Sequence, residues 1–319
     1  MKENKPESDP HLDSSPFASH KELTLSKKVS NKISHNPPKN LSSVGDLPKE
    51  FKHYKPSVSF CIDTEKFFIK IAETEKELQG VFHLRHNVFY QERKGVTFES
   101  QLSIDEQDIH ADHLIIVDKS NYQVKGSYRF ISSKFKGYEH FGNEKYFDLH
   151  HFLHKKKKEN GFVEMEWACT HKELRSSQAI HCIWLGMARY FREVFSKYMF
   201  GQVNVLNIKT EEAACIYNTF IDQGIVDTTS LVAPTKKYVV SGMDKMLLNV
   251  KPDQKSLIKI SRLFKWYLKI GARVHGPPMF DPEFNSYGFF LSIDFKNIKY
   301  PQLVNHYEDA VYLRDHLPK

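Results

Sequence analysis

The chain has 319 residues, of which 40% are hydrophobic and 27% are charged, and its net charge is +7. This composition is typical of a globular protein, and so mild a charge excludes the strong positive field of a dedicated nucleic-acid-binding protein. No apolar run is long enough to predict a membrane-spanning helix, and no apolar signal region near the N-terminus indicates export.

The first sixty residues differ in composition from the rest of the chain. They are rich in Pro, Ser, Asn and Lys, as in "SHNPPKNLSS", and have too little apolar surface to offset the entropy of ordering. We therefore expect a disordered tail over 1–60, one folded domain over 61–300 and a C-terminal extension over 301–319. The four cysteines lack Cys-x-x-Cys spacing, which favours reduced thiols in a cytoplasm over disulfides or zinc ligands.

Strand and helix patterns follow one another through the folded part without strict alternation. The predicted strands are "FFIKIAE", "HLIIVD", "VKGSYRFISS", "GFVEMEWACT", "FGQVNVLNI" and "GFFLSIDF". Apolar residues three and four apart predict helices that begin near Glu73, Ser177, Glu211 and Gln254. This mixture predicts an α+β fold with a mostly antiparallel sheet flanked by helices.

The last of these helices, over about 254–270, has a basic stripe and an apolar side, and Trp266 falls among its lysines. Tryptophan beside basic residues is typical of a helix that lies on an anionic membrane surface. A core helix with a solvated basic face and Trp266 under a loop fits the same pattern. Both interpretations stay open at this stage.

Two glutamates stand on the predicted strand "GFVEMEWACT". Because side chains alternate along a strand, Glu164 and Glu166 point to one face, whereas Trp167 is expected to face the core with its apolar neighbours. An unpaired buried carboxylate costs free energy, so the glutamate face must meet water, a cation or a substrate. The strand indicates either two solvated carboxylates or a cleft in which one takes a proton from an attacking amine.

An acidic cluster lies upstream, in "SIDEQDIHADHLIIVD". In a helical turn Asp105, Asp108 and Asp112 would share one face and repel one another, so a cation is expected to offset them. Arg85, Arg129 and the ammonium of a substrate are candidates for that cation. N-capping and solvation in a loop are the alternative interpretation.

In this order and spacing the motifs resemble the GNAT superfamily of N-acyltransferases. The resemblance rests on "LRHNVFYQE", "DEQDIHADHLIIVD", "GSYRF", "YFDL", a glutamate eleven residues before an arginine, and "YLKIGARVHGPPMFDPEFNSYGFF". The branch most similar to them includes the bacterial ornithine–acyl carrier protein N-acyltransferases and the hemolysin-like proteins. Acyl-homoserine-lactone synthases are more distantly similar. The resemblance covers about residues 67–295 and implies a GNAT-like sheet flanked by helices.

The resemblance implies a role for each matching residue. Glu164, eleven residues before Arg175, falls on the family's catalytic glutamate, and Glu166 is its neighbour. Trp167 stands where the branch usually has an arginine. The implied substrate-binding residues are Arg85, Phe89, Asp105, Asp108, Asp112 and Arg129. Among them an arginine would pair the substrate carboxylate, and Asp105 and Asp108 would hold a side-chain ammonium.

The turn after the glutamate strand bears on the acyl donor. GNAT enzymes that use coenzyme A have glycines there, whose backbone N–H groups cradle the pyrophosphate. Here Gln178 and Ile180 carry side chains that hinder so close an approach. The resemblance then favours acyl-phosphopantetheine on acyl carrier protein as donor, with no permanently bound cofactor and no metal. Lys172, Arg175 and the run 155–158 could meet that acidic carrier, although exposed lysines are often only solvated.

The resemblance therefore implies an amide-forming acyltransferase of lipid biosynthesis, which moves a long, optionally 3-hydroxylated acyl chain to the α-amine of an amino acid. Ornithine is the first choice of acceptor and would give a lyso-ornithine lipid. Three alternatives stay open: another N-acyl amino acid synthase, an acyl-homoserine-lactone synthase, and a degenerate fold that binds a membrane or a protein. We expect a cytoplasmic protein with peripheral contact to the inner face of the cytoplasmic membrane.

Overall fold

A sheet of nine strands runs through the described part of the chain, which comprises residues 44–135, 140–157, 161–175, 177–298 and 308–316 of a computed structural model. In chain order the strands are β1 (Cys61–Asp63), β2 (Phe67–Ile71), β3 (Asp112–Asp118), β4 (Val124–Ser132), β5 (Phe147–Asp148), β6 (Phe162–Thr170), β7 (Tyr198–Leu206), β8 (Ala233–Pro234), β9 (Arg273–Val274), β10 (Met279–Asp281) and β11 (Ser286–Asp294). The order across the sheet is β1-β2-β3-β4-β6-β7-β11-β10, with β9 also on β11, while β5 and β8 pair separately.

Helices cover both faces of this sheet. They are α1 (Glu75–His86), α2 (Glu92–Lys94), α3 (His150–Lys157), α4 (Ser177–Val194), α5 (Thr210–Asp222), α6 (Met243–Asn249), α7 (Arg262–Ile270) and α8 (Glu308–His316). A π turn over Asn87–Gln91 joins α1 to α2. At the start of α1 the Thr74 hydroxyl accepts from Glu77 N, and the Glu77 carboxylate accepts from Thr74 N, which satisfies donors that a helix start leaves unpaired.

Alternate residues of β3 show how the two faces divide the core. Leu114 and Ile116 join the largest cluster, under α4, α5 and α7. Ile115 and Val117 pack with Leu78 and other residues of α1 on the opposite face. We call these the α4 face and the α1 face. The α+β expectation is confirmed, since every neighbouring pair except β6 and β7 is antiparallel.

The predicted boundary of the N-terminal tail is wrong, because residues 44–60 pack on the folded domain. Phe51 is buried and lies edge-on to Phe82 of α1, with ring centroids 5.3 Å apart. The Tyr54 hydroxyl donates to Ala111 O over 3.0 Å. Phe51, Tyr54 and Phe60 give this stretch enough apolar surface to order it, which the polar average of the segment conceals. Residues 1–43 lie outside the described residues.

The predicted bounds of the helix over 254–270 are also corrected, and of its two interpretations the structure favours the core helix. The chain instead forms a 3-10 turn over Gln254–Ile258 and then α7, which begins at Arg262. Trp266 is buried against Trp184 of α4, with ring centroids 6.0 Å apart, so its indole cannot lie among lipid headgroups. No helix in the described ranges is both long enough and apolar enough to cross a membrane.

Candidate active site

A bulge in β6 lies at the centre of the candidate site. Arg129 of β4 pairs with Glu166 and Ser127 with Cys169, so both Trp167 and Ala168 stand opposite Tyr128. Trp167 adopts a φ of 56°, which is uncommon for a residue with a side chain. The extra residue reverses the alternation, as a β-bulge does. The prediction that Trp167 faces the core with Val163 and Met165 is therefore wrong, because Trp167 lies on the α1 face beside Glu166.

Beside the bulge, β6 and β7 separate. These parallel strands pair only over Phe162–Glu164 and Tyr198–Phe200, although both continue for six more residues. Gly201 allows the last close approach, because a Cβ there would overlap Met165 O. Beyond this point β7 stays paired with β11, so a wedge opens between β6 and β7. Backbone N–H groups of β6 that face this wedge have no strand partner on that side.

Glu164 lies at the closed end of the wedge. Its side chain is completely buried and accepts from Gly142 N at 2.7 Å, Asn143 N at 2.7 Å and Asn143 Nδ2 at 2.8 Å. Burial, and next the charge of Glu166, raise the pKa of Glu164 well above its usual range. The described residues thus leave Glu164 no surface for a ligand in this conformation, and they use both its oxygens to hold the loop at 142–143.

Glu166 lies further out, at the bulge itself. Its carboxylate pairs with Arg129 Nη2 and accepts from Asn143 Nδ2 at 3.1 Å, and its side chain keeps 11% of its surface exposed. The Asn143 amide therefore bridges the two glutamates. A Cβ on Gly142 would overlap the Glu166 carboxylate, so a glycine is needed at that position to let the carboxylate lie there. Of the two glutamates, Glu166 is the one that a substrate in the wedge can reach.

Two arginines bind the carboxylates of Asp105 and Asp108, which we call the acidic block. Arg85 Nη1 donates to both Asp108 oxygens, at 2.7 and 2.9 Å, and Arg129 Nη1 donates to Asp108 at 3.0 Å and to Asp105. Asp108 is completely buried, and although burial alone would raise its pKa, the two guanidinium groups hold that pKa well below its usual range. Asp108 thus neutralises the arginines and, as it stands, offers no oxygen to a substrate ammonium. Asp105 remains half-buried beside the site.

The expected carboxylate-binding arginines are likewise occupied. Both are buried, and each already bonds a protein carboxylate. Arg85 Nε, Arg85 Nη2 and Arg129 Nε nevertheless have no acceptor among the described residues. Trp167 Nε1 donates to Asp105 at 3.2 Å, and the Arg85 guanidinium lies 4.9 Å from the Trp167 ring. The tryptophan that replaces the family's arginine therefore supplies one donor to the same acidic block.

Asp112 lies apart from the site, behind the block. Its carboxylate accepts from Ser57 N at 2.6 Å and from the Tyr190 hydroxyl at 2.8 Å. The next residue, His113, is fully buried and its Nε2 contacts Asp108 O at 3.0 Å. The predicted contact of Asp112 with a substrate is not what the structure shows, because both its oxygens tie the N-terminal segment and α4 to β3.

Adjacent Asp112 and His113 give opposite pH dependences of stability. Burial raises the pKa of Asp112 from 3.8 to about 6, so its contribution to the free energy of unfolding falls as pH rises from about 4 to about 6. Burial lowers the pKa of His113 from 6.5 to about 4, so its contribution falls as pH drops through the same interval. We expect His113→Gln to lose stability relative to wild type as pH rises from 4 to 6, and Asp112→Asn to lose it as pH falls. Urea unfolding at five pH values measures this, and parallel profiles for both variants would contradict the two shifts.

Comparison with known proteins agrees with this geometry. Residues 84–185, which run from α1 through the bulge into α4, match the family model described as Acetyltransferase (GNAT) domain. The chain contains a GNAT domain. It is similar to the L-ornithine N(alpha)-acyltransferase of Brucella abortus (strain 2308), with 21% identity over 241 residues that cover 72% of this chain and 85% of that protein. The family match and this relative both support an amide-forming acyltransferase.

Two synthases are among the solved structures to which the chain is similar. FeeM, an N-acyl amino acid synthase from uncultured soil microbes, aligns with a TM-score of 0.43 at 10% identity and covers 77% of this chain and 97% of its own. The AHL synthase LasI aligns with a TM-score of 0.40 at 14% identity and covers 72% of this chain and 89% of its own.

A cluster of aromatic side chains surrounds Trp167 beside the wedge. Phe89 of the π turn lies edge-on to Trp167, with centroids 5.0 Å apart. Phe284, in the turn between β10 and β11, lies 6.2 Å from Phe89, 5.7 Å from Tyr90 and 6.4 Å from Trp167. Phe89 thus lies among aromatic side chains at the site, whereas its contact with a substrate stays a prediction.

The residues predicted to meet a carrier protein lie at the start of α4. Arg175 is exposed, pairs with Glu92 at 2.5 Å and donates from Nε to Thr170 O at 3.2 Å. Lys172 is exposed on the 3-10 turn Lys172–Leu174. The side chains of Gln178 and of the run 155–158 lie outside the described residues, whereas Ile180 is half-buried and packs against the α4-face core.

Sequence reasoning missed several residues of this site. Gly142 and Asn143 precede the quoted "YFDL", but neither residue type signals that its N–H groups bind a glutamate. Phe284 and Tyr146 lie within quoted motifs, yet were not assigned any role. Burial, and next the charges of Asp281 and Glu166, raise the pKa of the Tyr146 phenol. The segment "DPEFNS" predicts a turn next to an apolar strand, and it was the one available signal for the position of Phe284.

Proposed function

We propose that this acyltransferase moves a long acyl chain from acyl carrier protein to the α-amine of ornithine, which gives a lyso-ornithine lipid. The observation that carries the proposal is the place of Glu166, a half-buried carboxylate beside the β6 bulge at the mouth of the wedge. The Brucella relative supports the acceptor, since its name gives L-ornithine and acylation at the α nitrogen.

The chemistry needs a base and a donor to the oxyanion. The amine nitrogen attacks the thioester carbonyl carbon, a C–N bond forms, and the C–S bond breaks. Glu166 takes the proton that the nitrogen loses, and the released thiolate takes a proton to become the carrier thiol. Backbone N–H groups on the β7 side of β6 near the Trp167–Ala168 bulge would stabilise the developing oxyanion, because β7 no longer pairs with β6 there. Glu164 would act as a positioning residue through Asn143.

A phosphopantetheine arm suits the wedge, because an extended chain can lie between separated parallel strands and bond to their free backbone groups. Arg175 and Lys172 lie at the start of α4, where an acidic carrier would attach. Contact with an anionic membrane surface for product release remains part of the proposal. Because Trp266 is buried, we assign this membrane contact to the exposed Arg262, Lys265 and Lys269 of α7 instead.

The donor preference gives the test. We expect kcat/KM for palmitoyl carrier protein to exceed that for palmitoyl coenzyme A by about tenfold or more, because the turn lacks the glycines that cradle a pyrophosphate. Turnover with ornithine should yield N-palmitoylornithine in mass spectrometry. Equal values for the two donors would overturn the carrier assignment. Faster turnover with glycine or an aromatic amino acid would favour another N-acyl amino acid synthase.

The carrier contact has its own check in the same assay. Arg175→Glu should slow carrier-dependent turnover chiefly through association, so the effect should shrink as salt concentration rises. Lys245→Glu, exposed on α6, is the matched charge reversal on a different surface. Equal losses for both variants would contradict docking at the start of α4.

A further inference from the structure

Three buried oxygens without a hydrogen-bond partner lie on the α1 face of β7 and β11. They are Gln202 Oε1, Asn204 Oδ1 and Ser286 Oγ, and each lacks a donor among the described residues. Buried polar atoms are usually satisfied, so three on neighbouring strands call for a partner. Ser286 is completely buried, which excludes bulk water as that partner.

Gly288 brings two of these oxygens together. It pairs with Asn204 across β7 and β11, and a Cβ built on it would lie 2.9 Å from Asn204 Oδ1 and 3.2 Å from Gln202 Oε1. Both oxygens therefore point at the space above Gly288. Ser286 stands two residues along on the same face, opposite Leu206. The Met279 methyl group lies 2.6 Å from the same Cβ position and fills part of this space, so a ligand there would displace it.

A carboxylate completes this group of oxygens. Asp281 of β10 pairs in register with Ser286, so the two side chains share a face and lie about 5 Å apart at Cβ. Asp281 is 3% exposed, accepts from Glu283 N at 2.9 Å, and forms no ion pair with any described residue. Burial raises its pKa, and the backbone N–H groups of Glu283 and Phe284 and the charge of Lys145 oppose that shift.

This corner adjoins the reaction site. Tyr146 lies within electrostatic reach of both Asp281 and Glu166, and Phe284 of the following turn lies against Trp167. Gln202 follows the last residues of β7 that pair with β6, so it stands across the wedge from Glu166. Asn204 lies two residues and Ser286 four residues further along than Gln202, which is roughly 7 and 13 Å along the strand, so a ligand bound at Glu166 would have to extend along β7 past Asn204 to reach Ser286 and Asp281.

We propose that Asp281, with the oxygens of Gln202, Asn204 and Ser286, binds the side-chain ammonium of a diamino acid acceptor. An ammonium has three donors and a charge, which matches one carboxylate surrounded by neutral acceptors. A hydroxyl on the acyl chain has one donor and no charge, so it would leave Asp281 uncompensated. The assignment rests on the proposed function, and it transfers the ammonium contact from Asp108, which the arginines occupy, to Asp281.

Ornithine and norvaline, which share a carbon chain but differ in the terminal ammonium, test the subsite. The wild-type enzyme should prefer ornithine in kcat/KM, and Asp281→Asn should reduce that preference by about tenfold or more, mainly through KM for ornithine. Ser286→Ala should reduce it in the same direction by a smaller factor. Asp294→Asn is the matched control, because Asp294 also accepts from the N–H two residues on, but at the far end of β11.

The outcomes separate this inference from the proposed function. If wild type acylates ornithine and Asp281→Asn keeps the full ornithine preference, the subsite is wrong while the function stands. If wild type acylates neither ornithine nor lysine but acylates a neutral amino acid, both are wrong. Calorimetric titration of ornithine into wild type and Ser286→Ala decides the case if Asp281→Asn does not fold, and unchanged affinity would overturn the subsite.

Discussion

Glu166→Gln is expected to lower the rate of acyl transfer by about 100-fold or more, which is what loss of a general base typically costs. The amide keeps the shape and one acceptor, but it cannot take the proton from the attacking amine. Asp105 and Asp108 still neutralise Arg129, so the fold should survive. Single-turnover kinetics with acyl carrier protein and ornithine measure the rate, and circular dichroism checks folding.

Glu164→Gln makes the informative comparison. Its new amide would turn an N–H donor toward either Gly142 N or the Asn143 donors, so we expect a stability loss of about 1–3 kcal/mol besides a smaller loss of rate. Glu65→Gln, exposed in the turn between β1 and β2, is the neutral control. If folded Glu164→Gln loses all activity while Glu166→Gln keeps more than about a tenth, the proton goes to Glu164, as the family resemblance implied.

Much of this site could be predicted because strand geometry is local. Two glutamates two residues apart must share a face, and the structure places both there. The reversal at Trp167 could not be predicted, because the bulge depends on how β6 registers against Arg129 and Ser127 of β4. A single sequence carries no record of that pairing. The same limit hid Asn143, whose amide joins both glutamates only after the chain has folded.

The acidic residues of the sequence predicted that a cation lies beside them, but they did not show whether it belongs to the protein or to a substrate. The repulsion among Asp105 and Asp108 correctly required a cation, and Arg85 and Arg129 supply it. Once arginines fill the block, a substrate ammonium has to bind elsewhere. Asp281 escaped notice because it lies alone in the sequence, and its lack of a cation becomes visible only when its neighbours in space are known.

Asp108→Ala is expected to destabilise the protein by about 3–5 kcal/mol, because it leaves two buried guanidinium groups short of their shared counter-charge. For a domain of this size, 1 kcal/mol shifts the melting temperature by roughly 2–4 °C, so the loss should approach about 10 °C. Differential scanning calorimetry measures it. Asp63→Ala, which breaks the exposed pair with Lys119, should cost about 1 kcal/mol or less.

The Asp108 variant also distinguishes a structural block from a substrate site. If Asp108 serves Arg85 and Arg129, then replacing Arg85 by Met together with Asp108→Ala should recover part of the stability lost by Asp108→Ala alone, since one uncompensated charge has gone. Ornithine preference over norvaline should change little in the double variant, because the ammonium is bound at Asp281. A collapse of that preference without a loss of stability would return the ammonium to Asp108 and would show that the arginines release it when substrate binds.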